Sequence, residues 1–164
     1  MEGLEKSIEA LKAAQKTWEF PFFNEETAWE IGSRIREKAK AGGLPIAISI
    51  TWNRRRLFYS SMPGAAAIND QWVRRKENTV YQFQKSSYEV ALYLKLKNDT
   101  MANRYGLDAA DYAAAGGSVP LLIAGMGMAG TITVSGLSEQ EDHELVTGVI
   151  RSYLDEIETA TPGH

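Results

Sequence analysis

Gly116-Gly-Ser-Val-Pro120-Leu-Leu-Ile-Ala-Gly125-Met-Gly-Met-Ala-Gly130-Thr-Ile-Thr-Val-Ser135-Gly-Leu-Ser-Glu-Gln140-Glu-Asp-His143 is the stretch whose reading decides the fold. Within it, Gly125 to Gly130 fits G-x-G-x-x-G, a pattern that binds pyrophosphate when a strand precedes it and a helix follows. Here the following residues are Thr131-Ile-Thr-Val-Ser135, a β-branched run that favours a strand. Val119 to Ala124 is a second apolar run, so the glycines join two strands of a hairpin and do not open a helix. The helix comes later, where Ser138 and Glu141 form a Ser-x-x-Glu capping box. Leu145, Val146, Val149, Ile150, Tyr153, Leu154 and Ile157 supply its apolar face.

Working outward from this hairpin, the rest of the chain repeats the theme. Leu4, Ile8 and Leu11 mark a short opening helix, followed by an aromatic break from Trp18 to Phe23. Asn24 reads as an N-cap, with Glu25 and Glu26 at the positive end of the helix dipole. The row Ala28, Ile31, Ile35 and Ala39 continues that helix to Gly42-Gly43. Ile46, Ile48, Ile50 and Trp52 alternate at period two, and Leu57 to Ser60 follows a polar Asn53-Arg54 turn, giving a first hairpin. Helical spacing returns from Ala66 to Asn98 with a break near Ser86-Ser87, and Gly106 to Ala115 reads as a loop plus a short helix. The order helix, hairpin, helices, hairpin, helix predicts an α/β (α+β) fold in which helices cover an antiparallel sheet.

The 164 residues are 44% hydrophobic and 24% charged, enough to bury one sizeable core, and no repeat or Pro/Gly linker divides them. One domain over residues 1–164 is the expectation. No run of eighteen apolar residues and no signal peptide is visible, which predicts a cytoplasmic protein without a membrane partner. A net charge of −3 argues against a nucleic-acid partner, and Arg54-Arg55-Arg56 and Arg74-Arg75-Lys76 read as solvated faces before anion sites. With no cysteine, and only His143 and His164 as imidazoles, no metal site is expected.

Helical phase exposes one anomaly. Ile68, Asn69, Trp72, Lys76, Thr79, Val80 and Phe83 fall in one sector of their helix, which places an ammonium on an apolar face. A buried ammonium needs a carboxylate, an anionic ligand or a route to water. On the last helix Glu139, Asp142 and His143 turn toward the apolar side within the first turn. Two readings stand side by side. Asp142 pairs with Lys76 as a structural ion pair and His143 is a half-buried histidine, or Ser135, Gly136, Asp142 and His143 line a pocket whose opposite wall holds Asn69 and Lys76. Ser135 with Asp142-His143 has the residue types of a hydrolase triad, but adjacent Asp and His on one helix cannot form the oriented chain. No catalytic residue is assigned.

The blocks Asn69-x-x-Trp72-x-x-x-Lys76-x-x-Thr79-x-x-x-Phe83-x-x-Ser86-Ser87, Gly116-Gly117-Ser-Val-Pro120 and Gly130-Thr-Ile-Thr-Val-Ser135-Gly136-Leu137, ending in Asp142-His143, together resemble the haem-degrading-domain superfamily in its cytosolic branch. The likeness covers about residues 20–155. It implies a profilin-like α-β-α arrangement, symmetric homo-oligomers, and in some members binding of haem or a related tetrapyrrole. It also carries Asn69, Trp72, Lys76, Gly117, Pro120, Ser135, Gly136, Asp142 and His143 over as candidate ligand-binding residues. Haem iron usually takes His, Met, Cys or Tyr, and this chain has a single internal histidine. The expectation is a small-ligand-binding protein, haem being one such ligand. The alternative is a non-enzymatic homo-oligomeric interaction module, and an acid/base enzyme lacks an identifiable nucleophile.

Overall fold

The computed structural model describes residues 2–160, so His164 lies outside the described residues. Six helices and five strands follow one another as α1 (Glu2–Gln15), β1 (Glu19–Phe20), α2 (Glu25–Gly42), β2 (Ala47–Trp52), β3 (Arg55–Ser61), α3 (Ala67–Phe83), α4 (Ser87–Lys97), α5 (Met101–Tyr105), β4 (Ser118–Ile123), β5 (Gly127–Ser135) and α6 (Glu139–Ala160). The strands form one sheet in the order β1-β4-β5-β2-β3. Both predicted hairpins are present, and β5 pairs with β2 antiparallel, Ser49 opposite Thr133 and Trp52 opposite Gly130.

Local chemistry sets the element ends. The Asn24 side chain accepts from the Thr27 backbone and Thr27 answers with its hydroxyl, a closed capping box. Replacing Asn24 by Ala therefore costs about 1 kcal/mol, and urea unfolding should show the midpoint falling with an unchanged slope. Gly43, at φ 60°, ends α2 in the left-handed conformation. The Asn53-Arg54 turn takes positive φ at both residues without a glycine, and Arg54 N–H donates to the Tyr81 hydroxyl.

Three readings are corrected. The short helix expected within Gly106 to Ala115 lies earlier, as α5, because the Thr100 hydroxyl caps it and Gly106 closes it. Ile68 is 59% exposed although its phase is that of the buried face, since burial needs a covering surface as well as a direction. The sheet is not wholly antiparallel: the aromatic break supplies β1, which pairs parallel with Leu122 and Ile123.

The two faces of the sheet differ. Ile48, Ile50, Val119, Leu121, Ile132 and Val134 pack with α2 and α6 in the main core. On the alternate positions, Ser49, Thr51, Ser118, Thr131, Thr133 and Ser135 are all buried hydroxyls. They meet α3 and α4: Thr51 is hydrogen-bonded to Tyr81 and Thr131, Ser118 to Thr133, and the Ser87 hydroxyl accepts from Ser118 N–H. A polar layer of this kind tolerates charged groups that an aliphatic layer would expel, and α3 presents two, Lys76 and Glu77.

Candidate functional site

Lys76 descends from α3 and Asp142 from the first turn of α6, on opposite sides of the sheet, and they meet beyond the end of β5. Lys76 Nζ donates to Asp142 Oδ2 at 3.0 Å and to the Val134 carbonyl at 3.3 Å. Their side chains are 4% and 2% exposed, so both charges have left water. Asp142 Oδ1 also accepts the Leu137 N–H at 2.9 Å, which ties the Gly136-Leu137 bend to the helix.

The approach depends on missing side chains. At Gly117, φ 136°, a Cβ would lie 2.7 Å from Lys76 Nζ and 3.1 Å from Asp142 Cβ. At Gly136, φ 146°, it would meet the Pro45 carbonyl at 2.5 Å. Burial pushes the Lys76 ammonium down from its ordinary pKa and the Asp142 carboxyl up, each held back by the other's charge.

Over the pair lies a cleft of about 230 Å³, lined by Asn69, Trp72, Lys76, Ala115, Ser135, Gly136, Leu137, Glu139 and Asp142. The structure thus contains the ion pair read from the sequence, and over it a cleft that has the pair as its floor but omits His143 from its lining. Six of the nine candidate residues come together there. Gly117 sits against the ammonium without lining the cleft. Pro120 is buried in β4 opposite Thr131, at a position that β1 does not reach, since β1 pairs only with Leu122 and Ile123. Ala115 and Leu137 are not among the candidate residues; Leu137 follows Gly136 and Ala115 lies two residues before Gly117, and nothing in the type of either marks it.

His143 points elsewhere. Its ring lies 5.7 Å from Trp18 and 5.1 Å from Tyr88, it is 5% exposed, and its Nδ1 has no hydrogen-bond partner. Burial lowers its pKa from 6.5 to about 4, against a small opposing pull from Glu144. A folded pKa below the unfolded one means that the unfolded chain takes up the proton first as pH falls. Stability from this group is complete above pH 6.5 and is lost toward pH 4, about 3 kcal/mol in all. Urea unfolding at pH 7 and pH 4 should show that loss in the wild type beyond the loss in His143→Leu; equal losses would contradict it.

The arginine clusters are spoken for: Arg55 pairs with Glu25, Arg74 with Asp111, and Arg75 donates to the Ala109 carbonyl while lying over Trp72 at 4.5 Å. Gly125 and Gly127, both at positive φ, make the β4–β5 turn, which is no phosphate loop. Among the described residues no three His, Asp or Glu side chains gather as a metal site, and no helix is long and apolar enough to cross a membrane.

Comparison with known proteins gives one consistent answer. The profile described as "Haem degrading protein HbpS-like" matches residues 23–151. A UPF0303 protein of Edwardsiella ictaluri is 43% identical over 150 residues, covering 92% of this chain and 96% of its own. Among solved structures, the Ybr137w protein superposes with a TM-score of 0.85 at 27% identity, over 92% of this chain and 89% of that one. A PduOC complex with haem superposes at 0.66 and 18% identity, over 78% and 92%, a likeness of fold alone.

Proposed function

The chain belongs to the HbpS-like family of haem-degrading proteins, and we propose that it binds a compact, uncharged polar ligand in the cleft over Lys76 and Asp142. One observation carries this reading: donors with no partner among the described residues line a single cleft. Two of the three Lys76 N–H bonds are used, and the Ser135 hydroxyl, the Asn69 amide N–H groups and the Trp72 indole N–H have no acceptor. Such a set recognises a molecule that accepts hydrogen bonds.

Charge selects the class further. The ammonium is already neutralised by Asp142 at 3.0 Å, and Glu139 adds a carboxylate at the wall, so an anionic ligand meets no net attraction. Haem does not fit this cleft. Its propionates would find the cation taken, about 230 Å³ is below the usual range for larger ligands, and no lining residue is His, Met, Cys or Tyr. His143, the one histidine among the described residues, lies outside the lining.

The test is amide chemical-shift mapping with glycolamide and, separately, hemin. Glycolamide should shift Ser135, Gly136 and Leu137 saturably, and Trp72→Ala should weaken it; a saturable hemin shift at those residues with none from glycolamide would reverse the assignment. The interaction-module reading is favoured by a different feature. Trp29 is 65% exposed in a groove of about 510 Å³ that it shares with Val149 between α2 and α6. Native mass spectrometry reports subunit count and retained ligand together.

A further inference from the structure

Lys76 is 3% exposed and is one of the residues that line the cleft. Gly117 and the Val134 carbonyl pack against the ammonium on one side, and Asp142 Oδ2 holds it at 3.0 Å on another. Its third N–H has no acceptor among the described residues, and neither has the Ser135 hydroxyl in the same cleft. A lysine amine, a carboxylate in hydrogen-bond contact with it and a free hydroxyl therefore share one small, aromatic-walled site.

We propose that Lys76 captures the carbonyl carbon of a small neutral aldehyde or ketone as a Schiff base, with Asp142 moving the protons; this rests on the cleft being the ligand site. The ammonium first passes a proton to Asp142 Oδ2, rotation about Cε–Nζ turns the freed nitrogen lone pair to the cleft, and it attacks the carbonyl carbon. The C=O π pair moves to oxygen, which takes the proton back from Asp142. Asp142 then accepts a proton from the new C–N nitrogen and delivers it to the carbinolamine hydroxyl. The C–O bond breaks, water leaves, and the nitrogen lone pair closes the C=N bond. The sum is ammonium plus carbonyl giving protonated imine plus water, with no oxidant or reductant.

Charge is conserved at the cleft floor throughout. Lys76 begins as a cation beside the Asp142 carboxylate and ends as a protonated imine beside the same carboxylate, so the buried anion never loses its partner. The Ser135 hydroxyl is free to bond the carbinolamine oxygen, and Trp72 supplies an apolar wall for a short carbon chain. Burial, which shifts both groups toward their neutral forms, lowers the cost of the first proton transfer.

The test is reductive trapping of the full chain with cyanoborohydride and glycolaldehyde or hydroxyacetone, followed by peptide mapping. Lys76 should be alkylated at least about tenfold faster than the exposed Lys6, with pyruvate slower, and Asp142→Asn should remove the advantage. If that variant does not fold, the pH profile of wild-type trapping decides: the Lys76 rate should reach half its maximum at lower pH than that of Lys6. Labelling of Lys76 no faster than Lys6 overturns the proposal. Trapping that fails while glycolamide still shifts Ser135 to Leu137 sinks the Schiff base alone; loss of both signals sinks the ligand site as well.

Discussion

Lys76→Met should lower the unfolding free energy by about 3–5 kcal/mol, whereas Lys76→Met combined with Asp142→Asn should recover all but about 1–2 kcal/mol. The asymmetry follows from desolvation. Both carboxylate and ammonium are removed from water, and each is tolerable because the other lies 3.0 Å away. Removing the cation alone strands a buried anion. Removing both strands no charge, provided that the residue at 142 still offers an oxygen to the Leu137 N–H, which Leu or Ala would not. Urea unfolding at pH 7 measures the two differences. A double variant as unstable as the single one would mean that the cost lies in lost packing and not in the unpaired charge.

Gly117→Ala should cost about 4 kcal/mol and lower the melting temperature by roughly 10–15 °C. Two penalties add. The backbone at φ 136° is a conformation that a Cβ opposes, and the same Cβ would collide with the Val134 carbonyl oxygen and sit 2.7 Å from Lys76 Nζ. Relief requires moving β5 or the ammonium, and either loosens the Lys76–Asp142 contact. Gly148→Ala is the internal control: it lies exposed on α6 with nothing within 4 Å of where a Cβ would stand, so helix propensity alone applies and the change stabilises by about 0.5–1 kcal/mol. Thermal unfolding followed by circular dichroism should move in opposite directions for the two. Similar losses at both positions would refute the steric account.

These effects separate what local chemistry encodes from what packing adds. The Asn24 and Ser138 caps, the Gly43 stop and the two hairpins are legible because each depends on residues within about four positions of one another. The inward turn of Lys76 and Asp142 was also legible, since helical phase needs only the spacing of their own helices. Ile68 shows the limit of that reasoning: its phase is right and it is still 59% exposed, because phase gives direction and says nothing about whether another element lies there. The hydroxyl face was written in the alternation of Thr131-Ile-Thr-Val-Ser135, but its partner helix is not identified by that alternation.

By itself, then, the sequence determined the elements other than β1 and α5, the caps, the antiparallel β-hairpins and the demand of Lys76 for a buried partner. Only the tertiary structure decided that the partner is Asp142, 66 residues away, that the pair floors an open cleft, and that His143 faces Trp18 and Tyr88 instead. The physical reason is range. Backbone preferences and hydrogen-bonded caps act over one or two turns, whereas the meeting of two charges from opposite faces of a sheet is fixed by how α3 and α6 pack, and by the absence of a side chain at Gly117.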